Sequence, residues 1–164
     1  MDKVFIIAEA GVNHNGSTVL AKKLIDAAVS AGADAIKFQT FKAGKVVSKS
    51  ASKAPYQKKD LQNSESQYEM LKKLELNEHI HKELIKYCNK SKIMFLSTPF
   101  DIDSVDLLSN LNLEIIKIPS GEITNLPYLR HIGLLNIKVI LSTGMSNFQE
   151  IDDALKILIN AGTL

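Results

Sequence analysis

Apolar residues fall along this chain in two alternating rhythms. Short blocks rich in Ile, Val and Phe end in polar residues, as strands buried on both faces do. Between them lie longer stretches whose apolar positions recur every three or four residues, as on an amphipathic helix. Residues 4–8 predict the first strand. Ser17 or Thr18 then caps a helix reaching about residue 31, with Leu20, Leu24, Ala27 and Ala28 on its stripe and Gly32 as its stop. Residues 33–40 predict the second strand, and the period of two puts Lys37 and Gln39 on one side of it.

Residues 41–63 break the rhythm. They are rich in Lys, Ser and Ala, with Pro55-Tyr56-Gln57 among them, and loops this long serve as lids or stay disordered. A short helix is expected over 67–74, and Asn77-Glu78 opens another carrying Ile80, Leu84, Ile85, Tyr87 and Cys88. The alternation then resumes. Strands are expected at 93–97, 114–118 and 138–141, with helices from 101 or 103 to 111, near 126–132, and at about 147–160.

Alternating strands and helices with short connections predict an α/β fold with a parallel sheet and right-handed crossovers. About five such βα units fit an open doubly wound sheet, or the first part of a (β/α)8 TIM barrel. In the open sheet, ligand residues gather at one switch point; in the barrel, every strand's carboxyl end faces the site. Here every strand ends in polar residues: Glu9; Lys37 with Gln39; Ser97 with Thr98; Lys117 with Ser120 and Glu122; Ser142 with Thr143. That pattern favours the barrel, with residues 1–164 as its N-terminal part.

Composition narrows the class. An apolar fraction of 45% and a charged fraction of 23% are those of a globular protein, and a net charge of +2 with scattered lysines argues against nucleic acid. Cys88 is the only cysteine, which excludes an internal disulfide and points to a reducing cytoplasm. No stretch has the length to span a bilayer, and the first apolar block is too short for a signal peptide.

The candidate chemistry centres on residues 115–122 (Ile-Ile-Lys-Ile-Pro-Ser-Gly-Glu). An ammonium inside an apolar run costs several kcal/mol unless an anion answers it. Lys37, Lys117, Thr98, Ser120 and Ser142 together form an anion cradle suited to a substrate bearing phosphate and carboxylate. Glu9, Gln39 and Glu122 add acceptors and an acid or base for a hydroxylated partner. The same residues admit a class I aldolase-like enzyme with Lys117 as Schiff-base amine, or simple salt bridges from Glu9 and Glu122 to the lysines. His14 in the first loop reads as a ligand contact or a solvated residue. His79 and His81 diverge on their helix, and His131 meets a helix dipole. No metal constellation is visible.

Five segments carry a resemblance: residues 9–17 (Glu-Ala-Gly-Val-Asn-His-Asn-Gly-Ser), 36–40 (Ile-Lys-Phe-Gln-Thr), 95–100 (Phe-Leu-Ser-Thr-Pro-Phe), 117–122 and 140–145 (Ile-Leu-Ser-Thr-Gly-Met). In order and spacing, and with the Pro55-Tyr56-Gln57 loop, the chain resembles the N-terminal part of the sialic acid synthases, which make N-acetylneuraminate and relatives such as legionaminate. The resemblance implies a cytoplasmic, homodimeric transferase of sialic acid biosynthesis whose barrel condenses phosphoenolpyruvate with an N-acetylated hexosamine such as N-acetylmannosamine. Carried over by motif, Lys37, Thr98, Lys117, Ser120 and Ser142 hold phosphoenolpyruvate, while Gln39, Glu122 and Glu9 face the sugar, Glu9 as proton-transfer group. In the family, Mn2+ or Mg2+ polarises the sugar aldehyde, which makes the Schiff-base role less apt. The family's metal-binding histidines and its antifreeze-like closing domain have no counterpart in residues 1–164. The chain is therefore expected to be a fragment with little turnover alone, or a non-catalytic piece that binds an anion or a partner.

Overall fold

The computed structural model describes residues 4–51 and 66–163. Its elements run β1 (Ile7–Gly11), α1 (Thr18–Ser30), β2 (Ala35–Thr40), α2 (Ala43–Val46), α3 (Gln67–Leu74) and α4 (Glu78–Lys90). They continue with β3 (Met94–Pro99), α5 (Ile102–Asn110), β4 (Ile115–Ile118), a 3-10 turn (Ser120–Glu122), α6 (Leu126–Leu134), β5 (Lys138–Leu141) and α7 (Phe148–Ala161). Helix starts follow local chemistry. Ser17, Ser66, Asn77, Asp101, Asn125 and Asn147 each accept a hydrogen bond from a first-turn backbone N–H, caps that contribute about 0.5–2 kcal/mol apiece.

All ladders are parallel. The order β1-β2-β3 makes one sheet and β4-β5 a second, with β4 packed beside β3. Strand alternation sorts the side chains onto two faces. Ile36, Phe38 and Phe95 turn outward and join Ala21, Ile25, Ala28, Leu84 and Cys88 of α1 and α4 in one core. Ile116 and Ile118 join Tyr128, Leu129, Ile132, Ala154 and Leu158 of α6 and α7 in another. Lys37, Gln39 and Lys117 alternate with these residues and face the opposite way. Cys88 is fully buried, and burial pushes its thiol up to about 12, so it packs as a small apolar residue.

Several expectations are corrected. The first strand lies at Ile7–Gly11, not 4–8, and Val4, Phe5 and Ile6 are exposed. A β-branched run satisfies the pattern of a buried strand, but the ladder with β2 starts at the pair Ile7–Ala35. Of the expected α1 stripe Ala28 is buried, but its fully buried companions are Ala21 and Ile25 rather than Leu20 and Leu24, because the helix presents those positions to β1, β2 and α4. Within the expected long loop, residues 43–46 form α2, anchored where the backbone N–H of Lys42 donates to Asp101 Oδ2 (2.9 Å) and that of Ala43 to Glu75 Oε1 (2.7 Å). His14 is neither solvated nor at the surface; it is fully buried. His131 lies in the last turn of α6, as expected, and also pairs with Asp106 of α5 at 2.6 Å. The Pro55-Tyr56-Gln57 segment lies outside the described residues.

Candidate functional site

The carboxyl ends of β1 to β5 open onto a hollow of about 450 Å³. Glu9, Gly11, Val12 and Asn13 come from β1 and its loop, Lys37 and Gln39 from β2, and Thr98 and Phe100 from β3. Lys117, Pro119 and Ser120 follow β4, and Ser142 follows β5. Both lysines and all three hydroxyls of the expected cradle are therefore brought together, with Glu9 and Gln39.

The two ammonium groups are held differently. Glu9 and Lys37 are register partners across β1 and β2, and Lys37 Nζ lies 2.5 Å from Glu9 Oε2. Lys37 Nζ also donates to Thr98 Oγ1 at 3.0 Å. Lys117 Nζ donates to the carbonyl of Ile118 at 2.8 Å and to Ser142 Oγ. Among the described residues it has no carboxylate partner. Burial lowers the Lys117 pKa, the positive charge of Lys37 lowers it further, and the charge of Glu9 opposes both. An ammonium in this position gains from an incoming anion.

The hydroxyls are oriented by these contacts. Thr98 Oγ1 and Ser142 Oγ each accept from an ammonium, which has no lone pair to accept in return. Each hydroxyl proton is thus left to donate elsewhere. The hollow carries two cations against one carboxylate, so its field favours anions. At Gly11 the backbone has φ +53°, and a Cβ there would stand 3.3 Å from Glu9 Oε1 and 3.8 Å from Gln39 Nε2. Glycine keeps this wall open.

Glu122 is not part of this hollow. The 3-10 turn after Pro119 swings it into a neighbouring one, lined with Lys45, Asp101, Asp103, Asn125 and Tyr128, where its Oε2 accepts from Asn125 Nδ2 at 2.6 Å. Phe100 borders both hollows. The expected salt bridge therefore exists for Glu9 and is replaced by an amide contact at Glu122.

Sequence reasoning passed over the part that three residues play in shaping the site. Asn13 lines the hollow directly, and its place just after β1 was the available signal. Tyr128 donates its buried hydroxyl to the carbonyl of Pro99 (2.7 Å), tying α6 to the end of β3, and burial raises its pKa. Asp101 caps α5 and receives Ser104 Oγ and the Lys42 N–H on one oxygen. Among the described residues no group of three or more His, Cys, Asp or Glu side chains is placed to hold a metal ion. The described residues thus offer no fit for the divalent ion that the resemblance implies. No described helix is long and apolar enough to cross a membrane.

Comparison with known proteins gives consistent relationships. The NeuB family model matches residues 24–163. The N,N'-diacetyllegionaminic acid synthase of Campylobacter jejuni is 60% identical over 162 residues, 99% of this chain and 48% of that protein. The enzyme of the same name from Legionella pneumophila is 54% identical, over 90% of this chain and 41% of that protein. A solved N-acetylneuraminic acid synthetase from Leptospira borgpetersenii, in complex with citrate, superposes with a TM-score of 0.81 at 32% identity, covering 99% of this chain and 52% of that one. The chain spans about half the length of the curated relatives it matches.

Proposed function

Because this chain belongs to the NeuB family, we propose that it supplies the phosphoenolpyruvate-holding part of a (β/α)8-barrel synthase making a nonulosonic acid. The reaction joins phosphoenolpyruvate to an N-acetylated amino sugar with release of phosphate. The observation that carries this reading is the convergence of Lys37, Lys117, Thr98, Ser120 and Ser142 on one hollow. Strand-end polar residues on a parallel sheet, and the likeness to a solved sialic acid synthetase, support the barrel. That solved relative is in complex with citrate, itself a polycarboxylate.

In this reading Lys117, which lacks a carboxylate partner among the described residues, answers one anionic end of phosphoenolpyruvate. Lys37 answers the other while keeping Glu9 close. Thr98 and Ser142 donate the protons that their lysine contacts leave unused, and Ser120 adds a third hydroxyl. Together they fix the three-carbon acid with its reactive methylene toward the open side, beside Glu9 and Gln39. Glu9 Oε2, in contact with Lys37, is the group placed to take or return a proton. No step is assigned to a metal ion here. By the resemblance, the remainder of the barrel, a closing domain, further sugar contacts and a homodimer are expected of a protein of the relatives' length, of which this chain spans about half.

A second reading is favoured by one observation. Burial and Lys37 lower the Lys117 pKa, which also activates an amine for Schiff-base chemistry. Borohydride treatment with a carbonyl substrate separates the two. The synthase reading expects no reduced adduct on Lys117 by mass spectrometry, together with thermal stabilisation of the chain by phosphoenolpyruvate. An adduct lost in Lys117→Ala, with no stabilisation, refutes it.

A further inference from the structure

Behind the ligand-facing surface of β2 and β3 lies a closed chain of hydrogen bonds that the proposed chemistry does not use. His81 of α4 is fully buried, and its Nδ1 lies 2.9 Å from the carbonyl of Asn77. A carbonyl only accepts, so Nδ1 carries the proton, and the neutral imidazole presents Nε2 as an acceptor. Thr40 Oγ1 lies 2.8 Å from that Nε2 and donates to it. Its lone pairs are then left for Ser97 Oγ, 2.7 Å away, which donates in turn. Each bond has a fixed direction, and all three side chains are buried.

The position of this chain is specific. Gln39 and Thr98 are register partners across β2 and β3, and both line the anion hollow. Thr40 is the residue after Gln39, and Ser97 is the residue before Thr98. The Thr40–Ser97 bond therefore crosses behind the Gln39–Thr98 pair on the opposite face of the sheet. Just beyond it, the N–H of Phe100 donates to the carbonyl of Thr40 at 3.0 Å. Phe95 packs edge-on against His81 with ring centroids 6.2 Å apart. The strand ends that carry Gln39 and Thr98 are thus held on their far side by a polar chain in an otherwise apolar layer, where an unmade bond is costly.

We propose that His81, Thr40 and Ser97 are positioning residues: the imidazole fixes the Thr40–Ser97 bond, and that bond fixes the register and aim of Gln39 and Thr98 toward the bound anion. This rests on the reading of the hollow as the phosphoenolpyruvate site. Thr98 is the sensitive member, since its Oγ1 receives Lys37 and donates to the ligand only while the strand end is held.

The test compares Thr40→Val, which keeps the shape and removes the hydroxyl, with Thr40→Ser, which restores it. Both are made in the 164-residue chain. Phosphoenolpyruvate affinity is measured by calorimetry well below the melting temperature, with NMR of the Gln39 side-chain amide and the Thr98 methyl in the free protein. The expected result is about tenfold weaker binding in Thr40→Val, split or broadened Gln39 and Thr98 signals, and recovery of both readouts in Thr40→Ser. Unchanged affinity and unmoved signals in a Thr40→Val chain that merely melts earlier overturn the proposal and reduce the relay to packing. Failure of the wild-type chain to bind phosphoenolpyruvate defeats the reading of the hollow. The free-protein signals then decide the relay: disorder in Thr40→Val restored by Thr40→Ser supports it, and unmoved signals sink it.

Discussion

Lys37 and Lys117 share one hollow but are held differently: Glu9 stands 2.5 Å from Lys37 Nζ, while among the described residues Lys117 Nζ is held by the Ile118 carbonyl and Ser142 Oγ alone. The second ammonium is desolvated and repelled by the first. Its charge is a cost to the empty chain and an asset to the liganded one.

Replacing Lys117 with Met should therefore separate stability from binding. The ligand-free variant is expected to melt no lower than the wild type, because it loses a poorly compensated charge and keeps an apolar stem. Its phosphoenolpyruvate affinity should fall by about 2–4 kcal/mol, roughly 30- to 1000-fold. Thermal shift with and without ligand reads both quantities. A Lys117→Met chain that binds normally contradicts the assignment.

The two buried histidines predict a pH dependence. Burial, followed by the charge of His81, lowers the His14 pKa; burial also lowers that of His81, with Lys42 adding to it and the Asn77 carbonyl opposing it. The unfolded chain, with imidazoles near 6.5, binds protons that the folded chain resists. This contribution to stability is complete above 6.5 and is lost as the pH falls from there toward the lowered folded values. Its slope reaches at most about 1.4 kcal/mol per pH unit for each histidine. At Glu75, burial acts upward but is outweighed by hydrogen bonds from Lys72 and the Ala43 N–H, so its pKa is lowered; the effect begins only below its ordinary value of 4.5. Urea unfolding between pH 7.5 and 5 is expected to show the histidine slope, reduced in His81→Gln. Flat stability over that range is the contrary result.

Glu9 and Glu122 should part company. Glu122 lines the adjoining hollow and bonds to Asn125, so Glu122→Gln should leave phosphoenolpyruvate affinity within about twofold, given ordinary screening between exposed groups. Glu9→Gln removes the one carboxylate that pairs with Lys37 among the described residues and should tighten binding of the anion while slowing proton transfer. Titration of both variants checks this. Equal effects would mean that both carboxylates face a single ligand.

Packing of the last two helices predicts a further sensitivity. A Cβ at Gly133 of α6 would lie 2.4 Å from Ala161 Cβ and 3.0 Å from the carbonyl of Leu158 in α7. Gly133→Ala should cost about 1–3 kcal/mol through overpacking, measured by denaturant unfolding. A neutral substitution would mean that α7 is free to move away.

Much of this arrangement was legible in the residue pattern because period and capping act locally. Helix α3 and strand β5 fall at the expected positions, and the alternation of Ile36, Lys37, Phe38 and Gln39 already separates core from hollow. Elements decided by distant partners were not legible. The run 4–8 looks buried by composition, yet the ladder with β2 places the strand from Ile7 onward. Helix α2 is short and weak by propensity, and depends on Asp101 and Glu75, 59 and 32 residues away along the chain. Glu122 sits next to the right motif, but the turn after Pro119 sends it elsewhere. His81 read as one of two diverging helix histidines; only packing against Thr40 and Phe95 reveals what it holds.

The most direct measurement is calorimetric titration of phosphoenolpyruvate into the wild-type chain, Lys37→Met and Lys117→Met. The account predicts one saturable site in the wild type and a loss of at least about 30-fold in either variant, the cost of removing a charge-assisted partner. No binding by the wild type, or equal binding by all three proteins, would contradict it.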